Sequence, residues 1–420
     1  MQPNPMRFAL FSIIALLPIL ALAEGFWPQW RGPNRDGKSS EQGLVDEFTE
    51  DGPPLLWQNE GLGKGYASVA IAGGRIFTLG RVGQQEQLIA LSQMDGSKMW
   101  SVDVGAGGHS NGTPTIDGDR VYAVGLKGDL ICANVVDGTI LWQKNFGRDF
   151  GGRMMSGWGY SESPLIDGNW LLCTPGANDA MIVALDKKTG DEVWRAPQPD
   201  IGGRGRDGAG YSSIVISNGA GVKQYVQITG RGLIGVRAGD GKFLWGYNAV
   251  ANGTANIPTP IISGDHIFAS TGYNTGAGLV KLSKDGDGVK AEEVYFLRGN
   301  VFQNHHGGMI LVGDHIYAGA RHNNGFPTCI EMKTGEIVWG GTTRGPGGGS
   351  AAITFADGKL FFRYQDGKVA LINATTSGYE LKGSFKPVFQ QGNSWAHPVI
   401  ADGKMYLREQ DKLMCYNVKK

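Results

Sequence analysis

Apolar and polar residues alternate with a period of two in short stretches along most of the chain, which is typical of β-strands. Five stretches repeat one scheme, in which a strand, a turn built on Asp-Gly or Thr-Gly and a second strand end on tryptophan. They read LIALSQMDGSKMW, LICANVVDGTILW, IVALDKKTGDEVW, LIGVRAGDGKFLW and TCIEMKTGEIVW. Ahead of them lie further hairpins, such as IDGDRVY and ISGDHIF, whose centres suit two-residue turns. The pattern therefore predicts four strands in each repeated unit.

The residues that close the units set the period of the repeat. Tryptophan closes six units, and tyrosine and leucine fill the two gaps: Trp57, Trp100, Trp142, Trp194, Trp245, Tyr295, Trp339 and Leu381. Successive members lie 42 to 52 residues apart, a spacing that suits four strands of about five or six residues with their turns. Because no helical period accompanies this repeat, the sequence predicts an all-β fold, an eight-bladed β-propeller with four-stranded antiparallel blades.

The two ends of the chain are predicted to complete one blade together. The last unit begins at HPVIADGKMYLREQDKLMCYNV and reaches Lys420 without a closing strand, while PPLLW at residues 53–57 matches the missing strand. Pairing these segments closes the ring and removes exposed strand edges. Residues 53–420 are therefore predicted to form the propeller. Residues 24–52 would precede it as an extension in which Trp27 and Trp30 pack against the side of the barrel.

Composition and the first residues narrow the functional classes. The 39 basic residues balance 39 acidic ones, and because no basic stripe stands out, a nucleic-acid partner is not expected. Residues 1–23 combine Arg7, the apolar run FALFSIIALLPILA and a small-residue motif at Ala21 to Ala23, which is typical of a cleaved signal peptide. No later segment is long and apolar enough for a membrane span. The sequence therefore predicts a periplasmic or secreted protein, expected to be a monomer.

The four cysteines are predicted to be buried and unpaired. Cys132 and Cys329 lie ten residues before a closing tryptophan, where other units have alanine or glycine, and Cys415 fills the same position in the last unit. This position favours a small residue, and cysteine packs there as a small hydrophobic side chain. Equivalent positions of separate blades are too far apart for a disulfide.

Functional side chains are predicted at one face of the ring. Strands A to D of a blade alternate in direction, so the A–B and C–D turns share one face and the B–C and D–A loops share the other. The loops of the second face are rich in glycine, Asn, His, Arg, Tyr and Trp, and loops on a rigid scaffold commonly carry function. VFQNHHGG, residues 301–308, is one of them. The candidate binding residues are Asn274, Asn304, His306, Trp158, Arg231, Arg321, His322, Asn323, Trp395 and His397.

Several of these residues have two interpretations. Trp158 and Trp395 suit stacking on a planar cofactor or a sugar ring, or a hydrophobic plug of the channel. The arginines suit carboxylate or phosphate ligands, or surface pairs with acidic residues. His305 and His306 would point to opposite sides of an extended segment, and no compact ligand spacing accompanies them, so no metal site is predicted.

The repeat LDKKTGDEVW resembles the tryptophan-docking motif of pyrroloquinoline-quinone (PQQ) repeat propellers, a resemblance that extends from about residue 53 to the end. These include quinoprotein alcohol dehydrogenases and the propeller lipoprotein of the outer-membrane β-barrel assembly machinery. FWPQWRGPNRDGKS at 26–39 is similar to an N-terminal signature of exported bacterial PQQ-like propellers.

The resemblance to quinoprotein dehydrogenases implies PQQ with calcium as a possible cofactor in the channel mouth. Asn274 resembles the asparagine beside the calcium ion, whereas Asn178 and Asp179 stand where a glutamate is expected. His305 takes the position of the aspartate base and is the candidate catalytic residue. The adjacent cysteines of those enzymes are missing here.

Three functions remain open from the sequence. The first is a binding module that holds a small molecule or a protein segment at the channel mouth. The second is a quinoprotein-type oxidoreductase that acts on alcohols or sugars. The third is an envelope assembly scaffold that uses the rim of the propeller.

Overall fold

The computed structural model describes residues 25–420, so the predicted signal peptide lies outside the described residues. Eight four-stranded antiparallel sheets form a ring of blades. Strand β1 is Leu55–Asn59. Blade 1 contains β2 (Ala70–Ala72), β3 (Arg75–Val82), β4 (Gln85–Ser92) and β5 (Lys98–Ala106). Blade 2 contains β6 (Thr115–Asp117), β7 (Arg120–Val124), β8 (Asp129–Asn134) and β9 (Ile140–Asn145). Blade 3 contains β10 (Leu165–Asp167), β11 (Trp170–Cys173), β12 (Ile182–Asp186) and β13 (Glu192–Ala196).

The remaining blades follow in chain order. Blade 4 contains β14 (Val215–Ser217), β15 (Gln224–Thr229), β16 (Gly232–Arg237) and β17 (Phe243–Tyr247). Blade 5 contains β18 (Ile261–Ser263), β19 (His266–Thr271), β20 (Gly276–Asp285) and β21 (Gly288–Arg298). Blade 6 contains β22 (Met309–Val312), β23 (His315–Ala320), β24 (Phe326–Glu331) and β25 (Ile337–Gly340). Blade 7 contains β26 (Ala351–Ala356), β27 (Lys359–Tyr364), β28 (Val369–Asn373) and β29 (Leu381–Phe385). Blade 8 contains β30 (Val399–Ala401), β31 (Lys404–Glu409), β32 (Lys412–Asn417) and β1.

In the part of the chain that the structure describes, helical structure is confined to short pieces. The α-helix α1 (Phe146–Phe150) follows blade 2, and single 3₁₀ turns occur at Gly219–Gly221 and His322–Asn324. Within residues 25–420, no helix is long and apolar enough to cross a membrane.

The first strand closes the ring, which confirms the predicted closure. Strand β1 pairs antiparallel with β32 and places Trp57 opposite Cys415. The other pairs of tryptophan and small residue that the repeat predicts are arranged in the same way. The tryptophan on strand D lies opposite the small residue on strand C, for example Trp100 opposite Ala90 and Trp142 opposite Cys132. All four cysteines are buried and free, as predicted.

Three of the closing tryptophans, Trp100, Trp142 and Trp339, also bond their blade to the next one. The indole N–H of Trp100 donates to the Val135 carbonyl oxygen of blade 2 at 3.2 Å. A Cβ atom on Gly138 in that turn would lie only 2.6 Å from the Trp100 ring, and the residue has a φ of +77°. The recurring turn glycine therefore serves both the left-handed backbone and the contact with the neighbouring tryptophan.

The N-terminal extension fills the central channel instead of covering the side of the barrel. Trp27 exchanges two backbone hydrogen bonds with Ile71 on the innermost strand of blade 1, and Gly37 accepts one from Phe355 of blade 7. We call the intervening residues 28–37 the channel plug. The prediction for Trp30 was wrong because period-two patterns reveal strands but not the empty axis that they enclose: the Trp30 indole donates to Thr259 Oγ1 at 3.1 Å inside the channel.

Candidate functional site

A cavity of about 160 Å³ lies at the mouth of the channel, above the plug. Loops from seven of the eight blades contribute to its lining, and Trp30 and Arg31 of the plug also line it. We call it the mouth cavity. Its aromatic residues are Trp30, Tyr66, Trp158, Tyr211, Tyr273 and Trp395, and its histidines are His305, His306 and His397.

Aromatic rings pack against one another at the entrance. The rings of Trp158 and Trp395 meet edge to face with centroids 5.8 Å apart, and Tyr66 lies 4.6 Å from Trp395. The Trp395 indole N–H donates to Gln365 Oε1 at 2.8 Å, which fixes the ring orientation. Trp158 is 48% exposed. An exposed tryptophan beside a fixed one offers flat apolar surface to an entering molecule.

His305 is held on both sides by hydroxyl groups. Its Nδ1 lies 2.8 Å from Ser350 Oγ and its Nε2 lies 3.1 Å from Tyr273 OH. Burial, together with the neighbouring His322, lowers the pKa of His305 to about 3. The imidazole is therefore neutral at physiological pH, because burial disfavours its charged form.

His306 and His397 line the same cavity, and both carry buried ring nitrogens that have no hydrogen-bond partner among residues 25–420. His397 Nε2 donates to the His306 carbonyl oxygen at 3.1 Å, which leaves Nδ1 as an acceptor without a partner. Both ring nitrogens of His306 are buried and lack partners. Burial lowers the pKa of both histidines, for His397 to about 3. A buried polar atom without a partner costs free energy, and a ligand that pairs with it recovers that cost.

The two glycines of the QNHHGG stretch are explained by close packing. A Cβ atom on Gly307 would lie 1.6 Å from the Ala351 carbonyl oxygen of blade 7. A Cβ atom on Gly308, which has a φ of +75°, would lie 2.0 Å from Arg31 Nη1 and 3.1 Å from His397 Cε1. The stretch is thus a loop that brings two histidines to the mouth cavity and leaves room for the plug arginine beneath them.

The structure brings together only part of the residue set predicted from the sequence. His305, His306, His397, Trp158 and Trp395 line the mouth cavity.

Three further candidates lie directly behind this lining. His322 Nδ1 accepts the Tyr273 backbone N–H at 3.3 Å, Asn323 Oδ1 accepts from Ser350 at 3.0 Å, and Asn304 is buried with its amide donating to Gly319 O. These residues hold the lining in place and do not themselves line the cavity.

The other three candidates lie outside the mouth cavity. Asn274 is exposed on the B–C loop of blade 5, Arg231 pairs with Asp207 at 2.7 Å, and Arg321 donates to Gly341 O at 3.1 Å. For Arg231 the structure agrees with the alternative of a surface ion pair.

Sequence reasoning missed four of the six aromatic residues of the lining, and it missed the plug. Tyr66, Tyr211 and Tyr273 occupy mouth loops, as their neighbours in the sequence do, and the loop positions could have indicated them. Trp30 and Arg31 had no such signal, because they precede the first strand by more than twenty residues. Only their place in a Pro- and Gly-rich segment marked them as a turn.

The mouth cavity does not fit PQQ with calcium. Calcium takes six to eight oxygen ligands, usually with carboxylates among them, yet no carboxylate of residues 25–420 lines this cavity. Asp179, near the expected glutamate position, is exposed and pairs with Arg195 at 3.1 Å. Over the part of the chain that the structure describes, no group of three or more His, Cys, Asp or Glu residues is placed to hold a metal ion.

Solved structures share the architecture of this chain. It is similar to the quinohemoprotein alcohol dehydrogenase from Comamonas testosteroni, with a TM-score of 0.64 and 12% identity over 94% of this chain and 80% of that chain. A europium-containing methanol dehydrogenase gives a TM-score of 0.64 and 12% identity over 91% and 89% of the two chains. The computationally designed Ika8 protein gives 0.59 and 10% over 87% and 100%. Identities this low show the fold alone.

Sequence comparison adds the family. No curated protein matches the chain. A family model described as outer membrane protein assembly factor BamB matches residues 41–149 and 84–341. Because these matches cover more than half of the chain, this protein belongs to that family of PQQ-repeat β-propellers.

Proposed function

We propose that this protein is a binding module that holds a small ring compound in the mouth cavity. The observation that carries the proposal is the pairing of an aromatic wall with buried, unpaired imidazole nitrogens on one cavity. Flat rings stack on aromatic side chains, and a neutral imidazole offers one donor and one acceptor. The ligand is therefore a ring that bears hydroxyl or carbonyl groups.

The size of the cavity limits the ligand. A water molecule needs roughly 10–15 Å³ of such volume, so about 160 Å³ corresponds to a compound of one or two rings. The half-exposed Trp158 would lie over the ligand, while His306 and His397 would bind its polar groups from below.

The surroundings of His305 favour binding over oxidation. A general base works best with a pKa near the working pH, whereas burial lowers the pKa of His305 to about 3. Both of its nitrogens already contact hydroxyl groups. We therefore assign His305 to shaping the cavity. The experiment below must therefore exclude oxidoreductase activity.

Export belongs to the same proposal. We propose that residues 1–23 are a cleaved signal peptide, that residues 24–52 form the extension and residues 53–420 the propeller, and that the mature monomer is periplasmic or secreted. Membership of a family described as an outer membrane assembly factor keeps the envelope scaffold as the competing function.

The test is a screen of monocyclic and bicyclic compounds by thermal shift, followed by tryptophan fluorescence titration. We expect a ring compound to bind the wild type, and Trp395→Ala or His306→Leu to weaken its binding by roughly tenfold or more, as loss of a stacking or buried polar contact does. The matched control is Trp170→Ala, on β11 of blade 3, which should leave binding unchanged.

Two outcomes would contradict the proposal. One is binding that survives both mouth substitutions. The other is tight binding of PQQ with calcium accompanied by dye-linked oxidation of an alcohol, which would establish the oxidoreductase. A stoichiometric envelope partner whose binding ignores the mouth substitutions would favour the scaffold.

A further inference from the structure

A second cavity, of about 480 Å³, lies on the other side of the plug. One wall consists of the innermost strands of blades 3 to 5 beside their A–B turns, at the face opposite the mouth. This wall is apolar and contains Leu165, Ile166, Val215, Ile216, Ile261 and Ile262. We call this space the turn-face cavity.

The opposite wall is the plug together with Lys38, the residue that follows it, and this wall is cationic. Arg31, Arg35 and Lys38 line the cavity, with Asp36 as the acidic residue among them. Asp36 pairs with Lys38 at 3.1 Å. Over residues 25–420, neither Arg31 nor Arg35 forms an ion pair with a carboxylate.

Both guanidinium groups retain free donors despite being almost wholly buried. Each arginine is only 4% exposed. Arg35 donates to the carbonyl oxygens of Ser163 and Pro164, at 2.6 and 3.0 Å, yet its Nε has no partner. Arg31 donates to Met309 O at 2.5 Å, and its Nε has no partner among residues 25–420, while its unpaired Nη1 lies beside Gly308 on the mouth side.

These groups remain cations at neutral pH. Burial lowers the pKa of Arg31 to about 10 and that of Arg35 to about 9, both well above 7. The acid whose charge acts on Arg35 is Glu162, and burial raises the pKa of that carboxyl to about 7, so it is protonated for part of the time. Two buried cations are thus incompletely neutralised by the protein, and an anion in the cavity would stabilise them.

We propose that the turn-face cavity is a binding site for an aliphatic monocarboxylate, whose carboxylate pairs with the plug arginines and whose chain packs on the apolar wall. A carboxylate next to a guanidinium group forms charge-assisted hydrogen bonds that are stronger than neutral ones. The Ile, Leu and Val side chains opposite distinguish such a ligand from an inorganic anion, which would leave them without a contact. This site differs in position and in ligand chemistry from the mouth cavity.

The test measures the affinity of the full chain for three probes by calorimetry: sodium octanoate, 1-octanol and sodium phosphate. We expect octanoate to bind, and octanol and phosphate to bind at least roughly tenfold more weakly, because each lacks one half of the recognition. Octanol binding as tightly as octanoate would overturn the role of the arginines, and phosphate binding as tightly would overturn that of the apolar wall.

Two substitutions locate the site. Arg35→Gln removes a cation from the plug, and Ile216→Glu adds a carboxylate to the apolar wall without touching the plug. Each should weaken octanoate binding by roughly tenfold or more. Should Arg35→Gln fail to fold, Ile216→Glu decides alone.

The control Val136→Glu adds the same charge at the outer edge of blade 2, where Val136 is 60% exposed, and should not change the affinity. Octanoate binding that withstands Ile216→Glu would overturn the proposal. Octanoate binding that disappears in Trp395→Ala would place the ligand in the mouth cavity and would overturn it as well.

Discussion

His397 should contribute to the acid sensitivity of folding, and His397→Gln should remove that contribution. Its ring is 6% exposed, lies 4.5 Å from the Trp30 ring and is close enough to the Arg31 charge to be affected by it. Burial, reinforced by Arg31, lowers the pKa of His397 from 6.5 to about 3 in the folded chain. Between these two values the unfolded chain binds the proton and the folded chain does not.

The magnitude follows from proton linkage. A group whose pKa is lowered on folding supports stability above its unfolded pKa and loses that support as the pH falls. A pH of 5 lies about 1.5 units below the pKa of the histidine in the unfolded chain. At 1.36 kcal/mol per unit, the free energy of unfolding is therefore about 2 kcal/mol lower at pH 5 than at pH 8. The glutamine variant lacks this term. Its deficit against the wild type should therefore shrink by about 2 kcal/mol between pH 8 and pH 5.

The comparison must be between variants, because Glu162 acts in the opposite direction. Burial raises the pKa of Glu162 to about 7, partly offset by the hydrogen bonds from Thr174. Stability associated with that carboxyl therefore increases as the pH falls through 7. The pH profile of the wild type alone mixes these two effects with those of His305 and His306, whose pKa values burial also lowers. The difference between wild type and His397→Gln cancels the contributions that the two proteins share.

Urea unfolding followed by tryptophan fluorescence, at pH 8 and pH 5, measures this difference. The matched control is Ser68→Ala, which removes the hydroxyl that donates to the His397 carbonyl oxygen at 2.8 Å and introduces no titrating group. Its cost should be the same at both pH values. A deficit of His397→Gln that stays constant with pH, within about 0.5 kcal/mol, would refute the buried neutral imidazole.

Two further predictions concern the fold. Deletion of residues 53–58 removes most of β1 and the Trp57 contact. It should lower the melting temperature sharply, since loss of a large aromatic contact alone costs about 3 kcal/mol. An unchanged melting temperature in calorimetry would contradict the ring closure. Gly308→Ala should destabilise by about 2 kcal/mol or more through its positive φ and its clash with Arg31. Gly118→Ala, at a similar φ of +60° with open space around it, should cost only about 1 kcal/mol, and equal urea midpoints for the two would count against the tight plug.

The sequence predicted which face of the propeller carries the candidate site and several of the side chains that line it. Strand alternation placed the loops of His306, Trp158 and Trp395 at the mouth, and the structure brings these residues to one cavity. The position of a residue on this face did not decide which way its side chain points. Arg231 shares that face yet turns to Asp207, because the rotamer of a long side chain follows its nearest partner, which the sequence does not identify.

The sequence by itself determined the fold: the period of the tryptophans, the turn residues and the unfinished last unit leave one way to bury eight apolar sheets without free edges. Tertiary structure alone decided what occupies the axis. The extension carries no strand period, and its Trp30 and Arg31 contact residues that lie hundreds of positions away in the chain, Thr259 and Met309. Local patterns record which strands form, whereas the plug and the two cavities that it separates depend on the space left over when those strands pack.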